Sequence, residues 1–257
     1  MSVGGRLANY RPLSEVDRSQ AVGAYSNRSG NMTTKPGVFV LGGTGEIGSN
    51  IALKFQANGH QVLTCGTNDF DLSSSQSIKD WLDRPRLEVG VLIHSAGFND
   101  PKLFIDSTDE DIRQSLEVNL EGFLKVTRIL LPELIRCRGR IVVISSIFGF
   151  LSRSGRLPYS ASKHALLGAC KTLAIELGGV GVLVNSVSPG YIETELTHKN
   201  NDHETISRLV RNIPVQRLGL PSDVAEATYF LGSESNQYIT GQNIIVDGGL
   251  SIDGGRN

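Results

Sequence analysis

Val38-Phe39-Val40-Leu41-Gly42-Gly43-Thr44-Gly45-Glu46-Ile47-Gly48 decides the fold. Four consecutive apolar residues suit a strand buried on both faces, and glycines stop it. Apolar residues then recur at Ile47, Ile51, Ala52 and Phe55, the spacing of a helical stripe. Glycines at 42, 45 and 48 permit a tight turn, close approach of backbone N–H groups to a pyrophosphate, and close packing of helix on sheet. A helix N-terminus supplies partial positive charge at the same place. Gly42, Thr44, Gly45, Glu46, Ile47 and Gly48 are therefore the candidate phosphate cradle of a dinucleotide site.

Working outward, short apolar runs alternate with longer helical stretches. Strand-like runs cover 61–65, 89–93, 140–145, 182–187 and 243–246. Helical periodicity covers 112–135, with Pro132 placed to kink its last turns, and about 158–177. Near-continuous apolar strands separated by helices imply a parallel sheet covered on both faces. A (β/α)8 barrel also fits this length and alternation, but the first loop favours one doubly wound, Rossmann-like α/β domain.

The chain has 257 residues, with 25 basic and 26 acidic side chains and a net charge of −1. That balance gives no field for nucleic acid or an anionic membrane. No apolar run approaches the roughly 20 residues of a membrane span. Three separated cysteines (Cys65, Cys137, Cys170) form neither a disulfide framework nor a zinc pattern, and a reducing cytoplasm fits best. Residues 1–31 show no periodicity and read as a disordered extension ahead of a domain over 32–257.

The second strand should end near an adenosine ribose. Cys65, Gly66, Thr67 and Asn68 stand there with no acid to accept from a 2′-hydroxyl and no cation for a 2′-phosphate. The missing acid tips the reading to NADP, with NAD as the alternative and Thr67 and Asn68 as neutral donors.

Ser146, Tyr159 and Lys163 form the candidate chemistry. Tyr159 and Lys163 lie four apart at a helix start, on one face, and Ser146 follows a strand end. A tyrosine near pKa 10 is a weak acid–base catalyst at neutral pH, and a neighbouring ammonium should lower that value. Such a phenol can pass a proton to a carbonyl oxygen as hydride reaches its carbon, with Ser146 bonding the same oxygen.

With these residues the sequence resembles the short-chain dehydrogenase/reductase family over 37–250. The matching stretches are GGTGEIG at 42–48, HSAG at 94–97, Asn119 in EVNLEG, SS at 145–146, YSASK at 159–163, SPGYIETEL at 188–196 and ITGQNIIVDGG at 239–249. Within the family the pattern is most like 3-oxoacyl-carrier-protein reductases. The resemblance implies a seven-stranded sheet, a homotetramer or homodimer, and a carbonyl or alcohol substrate that is small or carrier-bound. It implies that Tyr159 is the acid/base, that Ser146 orients the carbonyl, and that Lys163 binds the nicotinamide ribose and depresses the tyrosine pKa. Asn119 would hold a relay water. Asp71 and Leu72 would contact adenine, Ser95, Ala96 and Gly97 the adenosine ribose, and Pro189, Gly190, Ile192 and Thr194 the nicotinamide side.

Several positions depart from the family pattern. Glu46 replaces a usual glycine and would repel a pyrophosphate unless it points outward. The 42/45/48 register is also like that of sugar-nucleotide epimerases and reductases, the alternative enzyme reading; a non-catalytic nucleotide sensor is the third. His94 and Ser95 replace two asparagines, and the segment before Asp71 is short enough to have lost a helix. Residues 191–212 resemble a substrate lid. Arg153 and Arg156 read as solvated surface arginines that could alternatively meet an anion, and His198 and His203 as exposed lid residues.

Overall fold

A computed structural model describes residues 35–253 except 67, 73 and 85. The expected N-terminal extension, and Thr67 among the candidate cofactor residues, lie outside the described residues.

β1 (Gly37–Leu41) is buried at every position because its side chains alternate between two cores. Phe39 and Leu41 enter one apolar cluster, while Val38 and Val40 enter the other. The turn then leads into α1 (Glu46–Ala57), whose Ile51, Ala52 and Phe55 are buried. β2 (Val62–Cys65) returns beside β1 in parallel.

After α2 (Ser75–Leu82), β3 (Val89–His94) pairs with the opposite side of β1. This reversal of direction makes the carboxyl ends of β1 and β3 the topological switch point, where open α/β sheets bind ligands. β4 (Arg140–Ile144), β5 (Leu183–Pro189) and β6 (Asn243–Val246) extend the sheet in the order β2-β1-β3-β4-β5-β6, all parallel. The sheet therefore has six strands among the described residues, where the resemblance implies seven. Between β2 and β3 the described chain holds α2 and no further strand, so β2 is the sheet edge.

The helix predicted over 112–135 is interrupted. α3 (Asp109–Leu116) passes into a π-helical segment, Glu117–Glu121, and then into α4 (Gly122–Arg136), which continues through Pro132. α5 (Leu157–Gly178) matches its predicted span within a residue at each end and carries Pro158 in its first turn, where a missing N–H is harmless. Short helices α6 (Glu195–Asn200) and α7 (His203–Arg211) follow β5, and α8 (Pro221–Gly232) packs beside α1. The helical faces of α4 and α5 fill the first core, and α1 and α8 fill the second. No described helix is long and apolar enough to cross a membrane.

The glycine turn is where the fold is least forgiving. Gly42 has φ +82°, and a Cβ on it would lie 2.4 Å from the backbone nitrogen of Ala96. A Cβ on Gly48 would lie 2.1 Å from the Gly42 carbonyl oxygen, whereas one on Gly45 meets nothing nearer than 3.6 Å. Gly48→Ala should therefore lower stability by about 1–3 kcal/mol or more through overpacking, and Gly45→Ala by no more than about 0.5 kcal/mol. Thermal unfolding of both variants checks this; equal losses would mean that crowding is not what requires glycine at 48.

Candidate active site

Each loop at the carboxyl edge of β1, β3, β4 and β5 contributes to one cavity of about 690 Å³. The glycine turn supplies Thr44, Gly45, Glu46, Ile47 and Gly48, the end of β3 supplies Ser95 and Gly97, and the end of β4 supplies Ser146. α5 adds Tyr159 and Lys163, and the chain after β5 adds Pro189, Gly190, Ile192 and Thr194. Gly42, Ala96 and Asn119 stand behind this lining, and Asp71 and Leu72 lie outside it. Leu72 packs instead toward Gly122 at the start of α4.

Gly45 caps α1 without a side-chain bond, so the first-turn N–H groups open toward the cavity. Glu46 does not sit among them as a competing anion. Its Oε2 accepts from the backbone N–H of Glu195 at 2.8 Å, turning the carboxylate outward to the first residue of α6. Thr44 lies between this turn and the end of β2, its side chain pressed against Gly66. Asp69 bends back to accept from the Gly66 N–H at 2.6 Å.

Asn119 lies in the π-helical segment and is fully buried. Its amide donates to the Phe98 carbonyl and to Ser162 Oγ, both at 2.9 Å, and its Oδ1 accepts from Phe98 N–H at 2.7 Å. The extra residue of the π-turn delivers this amide to the loop after β3, a geometry that helical periodicity does not announce. His94 stands where the family usually has asparagine. Burial and nearby Lys163 push its pKa down to about 3, so the ring is neutral and Nε2 lies 3.1 Å from the Asn119 carbonyl.

Ser146, two residues past β4, is extended and caps the following short turn, its Oγ accepting from Phe148 N–H at 3.1 Å. The Ser146 hydroxyl acts on the Tyr159 phenol and opposes the rise in its pKa. Lys163 Nζ lies 5.7 Å from the centroid of the Tyr159 ring and donates to the Ile144 carbonyl at 2.9 Å. The expected lowering of the tyrosine pKa by Lys163 is corrected here. Burial raises the Tyr159 pKa, and the opposing influences come from the Ser146 hydrogen bond and from Arg156. Burial also pulls Lys163 down to about 8, so this ammonium is itself held at a cost.

Arg156 departs from the expectation of a solvated surface side chain. It is only 7% exposed and lines the cavity. Arg153 is exposed and donates from Nη1 to the Tyr191 hydroxyl at 2.5 Å. Within the predicted lid, His198 pairs with Glu193 and His203 opens α7. Phe148 and Tyr191 also line the cavity. They belong to no catalytic spacing, and only their position in loops after β4 and β5 could have pointed to them.

Comparison with known proteins matches most of the chain. A family profile described as enoyl-(acyl carrier protein) reductase matches residues 69–251. The 3-oxoacyl-(acyl-carrier-protein) reductase of Buchnera aphidicola is 33% identical over 238 residues, covering 84% of this chain and 97% of that protein. The solved structure of ElxO with NADP bound superposes with a TM-score of 0.77 at 26% identity, covering 85% and 100% of the two chains. The 3-oxoacyl-(acyl-carrier-protein) reductase structure from Brucella melitensis gives a TM-score of 0.77 at 25% identity, covering 84% and 93%.

The buried lysine has a measurable consequence. Below pH 8 the native and unfolded states both hold its proton, and the burial penalty is constant. Between about 8 and 10.5 the unfolded chain keeps a proton that the native state has released, so this residue's contribution to stability rises with pH. The full change is on the order of 3 kcal/mol. Above 10 the raised Tyr159 acts in the opposite sense, because the native state then keeps the proton longer. Urea unfolding at pH 8 and 9.5 should show a Lys163-dependent gain that Lys163→Met lacks; identical pH slopes for the two proteins would refute it.

Proposed function

The chain belongs to the short-chain dehydrogenase/reductase family, and from that premise we propose that it catalyses hydride transfer between NADP(H) and a carbonyl or secondary-alcohol carbon. The observation that carries the reading is the convergence of Ser146, Tyr159 and Lys163 on the same cavity as the glycine turn. The cavity fits a dinucleotide. At Gly45 a Cβ would meet no atom nearer than 3.6 Å, so the turn opens to the cavity there, the first turn of α1 leaves backbone donors open, and Glu46 turns its carboxylate to the N–H of Glu195. NADP-bound ElxO and the 3-oxoacyl reductases among the relatives support NADP(H) as the cofactor. Bound NADPH supplies the hydride.

The chain's own residues supply binding, orientation and the proton. Gly42 to Gly48 cradle the pyrophosphate on the α1 N-terminus. Thr44, pressed against Gly66, offers a neutral donor toward the adenosine ribose, with Ser95, Ala96 and Gly97 across the sheet from it. Pro189, Gly190, Ile192 and Thr194 flank the nicotinamide end. Ser146, in the same cavity lining as Tyr159, hydrogen-bonds the substrate oxygen. In the reductive direction Tyr159 gives its proton to that oxygen as charge develops there; in the oxidative direction it takes the proton back. The phenol's raised pKa keeps it protonated at neutral pH, which suits the reductive direction. Lys163 holds the ribose, and Asn119 fixes the loop after β3 through its bonds to Phe98 and Ser162.

The reading extends to a cytoplasmic homo-oligomer.

Tyr159→Phe should reduce ketone-dependent NADPH oxidation by about 10²–10⁴-fold while NADPH still binds, as read by cofactor fluorescence. Retained turnover would remove the phenol from the chemistry. In the same titrations NADPH should bind more tightly than NADH; a tighter NADH complex would overturn the cofactor assignment.

A further inference from the structure

Arg156 is buried beside the catalytic tyrosine without a counter-charge. Its guanidinium makes no hydrogen bond to any described residue, and no carboxylate contributes to its electrostatics. The charged or titratable groups that do act on it are Tyr191, Arg153 and Tyr159. It lies over the Phe148 ring, with the guanidinium carbon 5.9 Å from the centroid. Phe148 in turn meets Tyr191 edge-on at 6.4 Å, and Tyr191 is held by Arg153. A five-donor cation is thus set in an aromatic wall of the cavity with its hydrogen-bonding capacity unspent.

An uncompensated buried cation is expensive to maintain, and structures normally pair it. Of the two carboxylate residues that line the cavity, Glu46 is committed to the N–H of Glu195 at the start of α6, and neither Glu46 nor Glu195 contributes to the electrostatics of Arg156. Arg156 also occupies the cap position of α5, three residues before Tyr159 and seven before Lys163. Charge at this end of the cavity is therefore positive from the side chain and from the helix terminus together.

Resting on the oxidoreductase reading above, we propose that Arg156 is a specificity-determining residue that binds an anionic group, a carboxylate, carried by the carbonyl substrate. The enzyme then prefers oxo acids, or the corresponding hydroxy acids, to neutral ketones, esters or thioesters. The guanidinium pairs with the carboxylate in forked geometry and so fixes which carbonyl is presented to Ser146 and Tyr159. A thioester-linked acyl chain offers no charge at this position.

The test uses a series of oxo acids with the acid two to five carbons from the ketone, each beside its methyl ester and its N-acetylcysteamine thioester. NADPH oxidation by the wild type should give kcat/KM at least about 30-fold higher for the best acid than for its ester, mainly through KM. In Arg156→Gln this ratio should fall to near one, and Arg156→Lys should keep part of it. An ester or thioester used as well as the acid, or a ratio that survives Arg156→Gln, overturns the proposal. Titration calorimetry of the NADP⁺ complex with the same acids gives a reading independent of turnover. The wild type and Tyr159→Phe should bind the acid alike, and Arg156→Gln at least about 10-fold more weakly, with NADPH fluorescence reporting that the variant is folded. Acid binding lost in Arg156→Gln, with no substrate reduced, would defeat the oxidoreductase reading and leave the anion site standing. Acid binding unchanged in Arg156→Gln, with esters reduced, would do the reverse.

Discussion

Three backbones meet without side chains between them where β1, α1 and β3 come together. The carbonyl of Gly42 lies against Gly48, and Gly42 itself lies against the backbone of Ala96. Everything else in the molecule is arranged around that contact. It brings the first turn of α1 down onto the sheet, so its unpaired N–H groups point into the cleft. It also draws the loop after β3 up to the switch point, within reach of Asn119 and Lys163. A single methyl group at 48 would push these parts apart. The energies involved are a few kcal/mol, comparable to a large share of a domain's whole stability margin. Overpacking here therefore threatens the fold as well as the site.

The chemistry depends on a second constraint, the burial of charge near one end of α5. Arg156, Tyr159 and Lys163 occupy successive turns of the same helix. Desolvation is the largest influence on each of them, raising the phenol and lowering both cations. The cation that acts on Tyr159 in this structure is Arg156, because Lys163, pulled down to about 8 by burial, loses its charge before the raised phenol titrates. Ligands that bring negative charge into the cleft would relieve these cations. The site is thus electrostatically incomplete by itself.

The architecture was legible because its signals are local. Alternation in β1 between two cores, the glycine turn, and the stripe of Ile51, Ala52 and Phe55 can each be read within a dozen residues. The same holds for Ser146, Tyr159 and Lys163, which sit at a strand end and a helix start. What escaped the sequence depends on longer-range geometry. The π-turn that delivers Asn119 leaves no periodic mark. The six-stranded sheet, against an implied seven, follows from how much chain bridges β2 and β3. Arg156 looked like a surface residue because its polar neighbours Ser152, Arg153 and Ser154 gave no hint that the chain turns inward at the start of α5. Its burial comes from Phe148 and Tyr191, which arrive from other loops.

Glu46 illustrates how one departure from a family pattern is absorbed. Placed at the first position of α1, a carboxylate gains from the helix dipole but would oppose a phosphate at the same terminus. The structure resolves the conflict by sending the side chain across the mouth of the cavity to the N–H of Glu195, 149 positions later. Thr194, just before it, caps α6 with its own hydroxyl. Thr194 also stands among the candidate nicotinamide contacts, so the phosphate loop and the far end of the cleft are joined by one hydrogen bond. A glycine at 46 could make no such link. The substitution therefore exchanges backbone freedom in the glycine turn for a tie to the first residue of α6, a helix that lines the cavity, and the position of that helix becomes linked to the turn.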